Sequence, residues 1–384
     1  MLSPRPPAAH ILAYAQTLDG GGVERALMRL MAGWSDLGRR VTLVLGDNRG
    51  PLAGELPAGV DTVLLGNASM RGLLALPALV EEIGPDLVFC AGNHYSGIAA
   101  WTRLRLGRRC PPIVAKVSNA LERRDQAAAV AMVYRAWLRL HPLFLDRLVA
   151  MTPGMRSETV RAMGVDADIL SVIPNPPVRL TRGGDGDCPE GRYLLGVGRL
   201  APQKRWDRLI RAFARVRDPG VTLVILGEGE ERPALEALVA DLGLSGRVLM
   251  PGYAADPLPM IERATALALV SEFEGVPGVL REALAVGTPV ISTESSVAVR
   301  EIVAGPRLGT VVAQEDHEGL VRALHHWLGP RRRRPAPVAQ PGEDAAAAYL
   351  DVFDEVVLDR RFNASRARPR SRESHARNFA PARP

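Results

Sequence analysis

The sequence predicts an α/β protein made of two doubly wound parallel-sheet domains that face each other across a cleft. Three observations carry this reading. Short β-type apolar runs alternate with helical patterns along almost the whole chain, as expected of strands covered on both faces by helices. A Pro/Gly-rich stretch, Pro174-Asn-Pro-Pro177 followed by Gly183-Gly-Asp-Gly-Asp-Cys-Pro189, interrupts the alternation near the middle. Glycine-bearing turns follow the first strand on each side of that interruption.

The first domain is expected over residues 1–173. It opens on the buried-strand run His10-Ile-Leu-Ala-Tyr-Ala15, which leads through Gly20-Gly21-Gly22 into Val23 to Met31, where the apolar spacing is helical. Val41 to Leu45, Leu87 to Cys90, Ile113 to Ala115 and Arg147 to Met151 supply further strands. Ala127 to Leu145 places Arg135, Arg139 and His141 among apolar residues and Trp137; it reads as a core or surface helix, or as one that faces a membrane. A linker is expected over 174–192 and the second domain over 193–330, with strands at Tyr193 to Leu195, Val221 to Leu226, Val248 to Met250, Leu267 to Val270 and Pro289 to Ser292. A second linker, 331–342, precedes a helical pattern over 343–358, and residues 359–384 read as a disordered Arg-rich tail.

A chain of 384 residues that is 47% hydrophobic has enough apolar material for a core in each domain. The net charge of +6 does not point to nucleic acid, because residues 360–384 alone carry eight arginines against Glu373 and leave the rest of the chain at −1. The tail is a solvated extension or a contact for anionic membrane lipid. Cys90, Cys110 and Cys188 show no metal-ligand or redox spacing, which suits a reducing cytoplasm. No signal peptide is evident and no apolar run reaches transmembrane length, so a cytoplasmic chain, at most peripheral on the inner face of the plasma membrane, is expected.

The most informative segment lies between Glu274 and Glu282. Gly275-Val276-Pro277-Gly278-Val279-Leu280-Arg281 follows an apolar strand run and leads into a helix, so the free N–H groups of the helix start would bind an anion while the carboxylates reach sugar hydroxyls. Gly196-Val-Gly198-Arg199-Leu-Ala201-Pro-Gln-Lys204 resembles a dinucleotide turn, yet Pro202 interrupts it and the next strand's acid, Glu228, comes too late for a ribose contact. Arg199 and Lys204 read instead as a clamp on one diphosphate, or as surface charge. The Gly20-Gly21-Gly22 turn is either a plain tight turn or a phosphate loop.

The ordered motifs Gly-Gly-Val-Glu-Arg (21–25), Ile-Pro-Asn-Pro (173–176), Gly-Val-Gly-Arg-Leu-Ala-Pro-Gln-Lys (196–204), Leu-Gly-Glu-Gly (226–229), Pro-Gly-Tyr (251–253) and the run from Glu274 to Val290 resemble glycosyltransferase family 4, the retaining group 1 transferases. The resemblance spans residues 10 to about 358 and implies the GT-B fold, with acceptor bound mainly by the first domain, nucleotide-sugar by the second, and the 343–358 helix crossing back to the first. It implies that Glu282 holds the ribose hydroxyls and Glu274 the hydroxyls of the transferred sugar. The backbone of Gly275, Val276, Pro277, Gly278, Val279 and Leu280 would hold sugar and diphosphate, Gly198, Arg199 and Lys204 the diphosphate, and Tyr253 the base edge. Gly21 and Gly22 would close over the phosphate from the opposite domain. The chain departs from the family at Ser118-Asn119, where many members place a histidine, and Asn119 and His94 are the acceptor-side candidates, a lone histidine such as His94 being more often structural or merely exposed.

The resemblance implies a retaining hexosyltransferase of cell-envelope or exopolysaccharide synthesis, with a UDP-sugar as substrate, a saccharide or lipid-linked acceptor, and neither cofactor nor metal. A GT-B nucleotide-sugar epimerase and a non-catalytic nucleotide-sugar-binding module are the alternatives, and a glycosidase using Glu274 and Glu282 as its acid/base pair is a third. Asp166-Ala-Asp168 and Asp185-Gly-Asp187 look like Asp-x-Asp metal motifs but lie in connecting segments, as turn carboxylates do.

Overall fold

The computed structural model describes residues 5–19, 21–122, 127–178, 189–329 and 333–366, with side chains to residue 363. The first half runs β1 (His10–Ala15), α1 (Gly22–Asp36), β2 (Arg40–Leu45), β3 (Val60–Leu64), α2 (Leu76–Ile83), β4 (Leu87–Cys90), α3 (Ser96–Leu106), β5 (Ile113–Lys116), α4 (Ala128–Arg139), β6 (Arg147–Ala150), α5 (Pro153–Met163) and β7 (Leu170–Val172). Its seven strands are parallel in the order β3-β2-β1-β4-β5-β6-β7.

The second half runs β8 (Arg192–Val197), α6 (Trp206–Phe213), β9 (Val221–Leu226), α7 (Arg232–Asp241), β10 (Val248–Gly252), α8 (Leu258–Arg263), β11 (Ala266–Leu269), α9 (Gly278–Ala285), β12 (Val290–Thr293), α10 (Val297–Ile302), β13 (Gly309–Val312) and α11 (His317–Trp327). Its six parallel strands lie in the order β10-β9-β8-β11-β12-β13. In each sheet the order reverses beside the first strand, and ligands of such sheets bind beyond the strands' carboxyl ends at that reversal. The loops after β1, β4, β8 and β11 therefore border the cleft.

The three strands without a sequence signal, β3, β7 and β13, lie at sheet edges. β3 (Val-Asp-Thr-Val-Leu) is largely exposed and β7 is three residues long, so neither shows the apolar run that marks a central strand.

A last helix, α12 (Ala345–Arg366), crosses back to the first domain. Trp34 of α1 packs edge-on against Phe89, Tyr349 and Phe353, with ring centroids 5.1, 5.9 and 5.1 Å away. Arg39 clamps Asp354 with two hydrogen bonds of 3.0 and 2.7 Å. The helix continues eight residues beyond the expected end at 358, which corrects the expected start of the tail. Ion pairs explain the extension: Asp359 with Arg147 at 2.9 Å, Arg360 with Asp146 at 3.2 Å and Arg361 with Asp86 at 3.0 Å tie this turn to the first domain. The tail beyond 366, Cys188 and Asp185-Gly-Asp187 lie outside the described residues.

Candidate active site

Lys204 ends a short turn, Pro202–Lys204, between β8 and α6. The next residue, Arg205, has φ 52°, a left-handed conformation that costs a non-glycine residue about 1–2 kcal/mol. Its guanidinium bonds to Asp207 at 3.0 Å and to Glu272 at 3.1 Å, which holds the turn. Gln203 reinforces it, donating to the Phe273 carbonyl at 2.7 Å and accepting from the Glu272 N–H at 2.8 Å. These bonds set the loop after β8 beside the loop after β11, and Lys204 Nζ reaches Glu274 Oε1 at 2.6 Å. Both side chains are largely buried, so screening by water is weak and the geometry is held firmly.

A cavity of 1840 Å³ opens between the domains. Gly22, Gly198, Arg199, Lys204, Tyr253, Glu274 and Glu282 all line it, together with Val276, Pro277, Gly278 and Val279 of the loop into α9. Gly21 is the residue before α1, with the Glu24 carboxylate folded back over it. Gly275 packs on the first domain: a Cβ there would lie 1.9 Å from the Ser118 carbonyl oxygen, so only glycine fits. Leu280 requires a correction. Its side chain is in the second domain's core and its N–H is bonded to the Pro277 carbonyl at 3.2 Å, so it has no donor left for a ligand. Pro277 has no N–H either, and the loop's donors reduce to its neighbours.

Glu282 sits on α9 with burial pushing its carboxyl pKa up, against the opposing pull of Arg29 and Arg25. Both arginines come from α1 of the first domain. Arg25 also donates to the Tyr253 hydroxyl at 2.5 Å, and Arg29 to the Pro176 carbonyl at 3.0 Å. A third cation is Lys116, at the end of β5 and 1% exposed, which donates to Asn175 Oδ1 at 3.3 Å. Burial lowers its pKa to about 8 although Glu24 opposes the shift. Glu24 itself is raised by burial and lowered by Arg199 across the cleft. Residue reading missed Arg29 and Lys116; only their spacing along α1 and at a strand's carboxyl end was available to signal them.

Ser118-Asn119 lies directly against the Glu274 loop, where the Ala120 N–H donates to the Glu274 carbonyl at 3.0 Å. Asn93 organises this corner, with Oδ1 accepting from the Ser118 N–H at 2.6 Å and Nδ2 donating to the Asn119 carbonyl at 3.1 Å. His94 packs on Tyr95, ring centroids 3.8 Å apart, and desolvation lowers its pKa. Neither His94 nor Asn119 lines the 1840 Å³ cavity; both belong to the first domain, Asn119 against Gly275. Among the described residues no three His, Cys, Asp or Glu side chains cluster as metal ligands would.

The arrangement suits a bulky anionic ligand that spans both domains. Residues 188–337 match the family of glycosyl transferases group 1, and residues 21–176 match the glycosyl transferase 4-like domain. A lipopolysaccharide 1,6-galactosyltransferase of Salmonella typhimurium is 30% identical over 74% of this chain and 75% of its own length. A lipopolysaccharide core biosynthesis glycosyltransferase, LpsE of Rhizobium meliloti, is 33% identical over 46% of this chain and 59% of its own. The chain spans about half the length of the first curated relatives it matches. Among solved structures, Anabaena HepE in complex with UDP-glucose superposes with a TM-score of 0.70 at 19% identity, covering 93% of this chain and 99% of that one. That likeness establishes the fold, GT-B.

Proposed function

The chain belongs to the glycosyl transferases group 1, and from that membership we propose that it moves a hexose from a nucleotide-sugar, UDP-hexose first, to a saccharide or lipid-linked acceptor in envelope or exopolysaccharide synthesis. The observation that carries the proposal is the Lys204–Glu274 pair, 2.6 Å, set beside Arg199 in the interdomain cavity. As the bond between the anomeric carbon and the phosphate oxygen breaks, negative charge grows on that oxygen. Arg199 and Lys204, which line the cavity, are the cations that would receive it. Glu274, held by Lys204, meets the transferred sugar, and Glu282 meets the ribose. The acceptor oxygen bonds to the anomeric carbon on the face the phosphate leaves, and its proton passes to the departing phosphate oxygen. Configuration is retained and no protein base or metal is needed.

A glycosidase reading fits these carboxylates poorly, since Glu274 is ion-paired and Glu282 faces Arg29 and Arg25. The acceptor side favours a lipid-linked substrate met at a membrane surface. On α4 only Leu138 is buried, while Val130, Met132, Val133 and, just beyond, Leu140 and Leu143 are exposed beside Arg135 and Arg139. Among the described residues no helix is long and apolar enough to cross a membrane, so contact there would be peripheral.

The test is a panel of UDP-, GDP- and ADP-hexoses incubated with the full chain and EDTA, with products resolved. Nucleoside diphosphate release that survives chelation, with the sugar moved to water or acceptor, supports the proposal. Interconverted nucleotide-sugars would identify an epimerase, and binding without turnover a binding module; either result rejects it. Flotation with vesicles of phosphatidylglycerol and phosphatidylcholine checks the membrane contact, which Met132→Asp with Leu140→Asp should abolish.

A further inference from the structure

Away from the cavity, the two domains share one carboxylate. Glu301 belongs to α10 of the second domain, yet its Oε1 accepts from Thr152 Oγ1 at 2.8 Å and from the Gly154 N–H at 2.9 Å. Both donors open α5 of the first domain, where the starting N–H groups have no partner within the helix. Thr152 already caps α5 by accepting from the Met155 N–H at 3.2 Å. Glu301 is therefore an additional acceptor supplied from the other domain. Charge-assisted bonds and the helix dipole both favour a carboxylate at this position.

On its own side, Glu301 is coupled to the proposed donor loop. Just before α10, Ser296 Oγ donates to the Gly275 carbonyl at 2.6 Å, and the Ser295 carbonyl accepts from the Glu274 N–H at 2.9 Å. On α9, Arg281 lines the cavity next to Glu282, and Glu301 is the carboxylate that offsets its burial. The loop so held is the one whose Glu274 carbonyl is bound by Ala120 of the first domain. A single rigid chain of bonds thus runs from α5 through Glu301 and the 295–296 segment to the loop that carries Glu274.

We infer that Glu301 is a positioning residue, a latch across the domains that fixes the register in which the Glu274 loop lies on Ser118 to Ala120 and so assembles the donor site in advance. The effect on ligand rests on the nucleotide-sugar reading of the cavity; the domain contact does not. If a fraction of the unlatched protein opens, donor affinity falls by that fraction.

Three variants of the full chain test this. Glu301→Ala removes the acceptor and Glu301→Gln keeps an oxygen in place. Gly154→Ala acts from the other side: its Cβ would fall 2.3 Å from Glu301 Oε1, the end of a flexible side chain, and would push the carboxylate away while making α5 a better helix. In small-angle scattering of the free proteins, Glu301→Ala and Gly154→Ala should be more expanded than wild type, and Glu301→Gln, which keeps the acceptor and loses the charge, should lie between wild type and Glu301→Ala. The two expanded variants should bind UDP about tenfold more weakly with kcat at saturating donor within about twofold, and Gly154→Ala should not melt earlier. The latch is overturned if both variants scatter and bind like wild type, if a lowered melting temperature is the only change, or if Glu301→Gln opens as far as Glu301→Ala. Absence of UDP binding by wild type would instead count against the nucleotide-sugar reading, and scattering would still decide the latch.

Discussion

The two sides of the cleft present their charge differently. In the second domain Arg199, Lys204, Glu274 and Glu282 sit on or just after two loops, each following a strand at the sheet's switch point, and those loops are stitched together by Gln203. In the first domain the charged groups are spread along one face of α1 and the end of β5: Glu24, Arg25, Arg29 and Lys116. The second arrangement is a rigid preformed pair. The first is a field, mostly positive, that compensates Glu282 and Glu24 in the free protein. On the proposed reading, direct contact with the breaking bond would fall to the second domain, while the first would set the potential in which the bond breaks.

The largest expected effect tests the direct half of that contrast. Lys204→Ala should lower donor kcat/KM by about 10²- to 10³-fold, roughly 2–4 kcal/mol, because it removes a donor aimed at developing charge and leaves Glu274 buried without its cation. Steady-state kinetics with the best donor check it. An equal loss in Arg29→Ala with Lys204→Ala unchanged would reverse the roles of the two domains.

The same contrast explains what could be read before the structure. Arg199, Lys204, Glu274 and Glu282 lie within short glycine- and proline-marked segments that the strand–loop–helix pattern places locally, so their meeting in one cavity was legible from the sequence, whereas the roles given to them rest on the resemblance. The fold was legible for the same reason in its central strands, which are continuous apolar runs. Arg29 and Lys116 were not, because nothing in a four-residue helix step or a strand's last residue says that a second domain will sit opposite. Leu280 failed for a subtler cause: α9 already begins at Gly278, so the Leu280 N–H lies in the helix's first turn and is consumed by Pro277. The end of α12 failed because ion pairs to Asp86, Asp146 and Arg147, remote in sequence, hold a segment whose composition alone favours disorder.

A middle-sized effect probes the first domain's field. Burial brings the Lys116 pKa from 10.5 to about 8, so the folded chain gives up this proton before the unfolded chain does. Folding then releases a proton between those values, and wild-type stability should rise with pH from about 8 to about 10.5, the penalty being complete below about 8. Lys116→Met should remove that dependence. At pH 7 it should be more stable by about 2 kcal/mol, less than the shift alone would give because the bond to Asn175 is lost. Chemical denaturation at pH 7 and pH 9.5 measures both slopes. A Met variant less stable than wild type at pH 7 would mean that Glu24 compensates Lys116 fully and the field is neutral.

The smallest expected effect is the one that best divides the donor side itself. Glu282 faces α1, near Arg25 and Arg29, whereas Glu274 is bonded to Lys204. On the proposed reading Glu282 holds the ribose, a contact that matters with or without sugar, so Glu282→Ala should weaken free UDP about tenfold, equal to about 1.4 kcal/mol. Removing Glu274 frees the Lys204 ammonium for phosphate, so Glu274→Ala should hold UDP within about twofold of wild type, or more tightly, while turnover of the intact donor drops. Isothermal titration with UDP and kinetics with the donor separate the two. If both substitutions weakened UDP equally, the carboxylates would share one ligand group, and the Lys204–Glu274 pair would be a scaffold for the loop rather than a sugar contact.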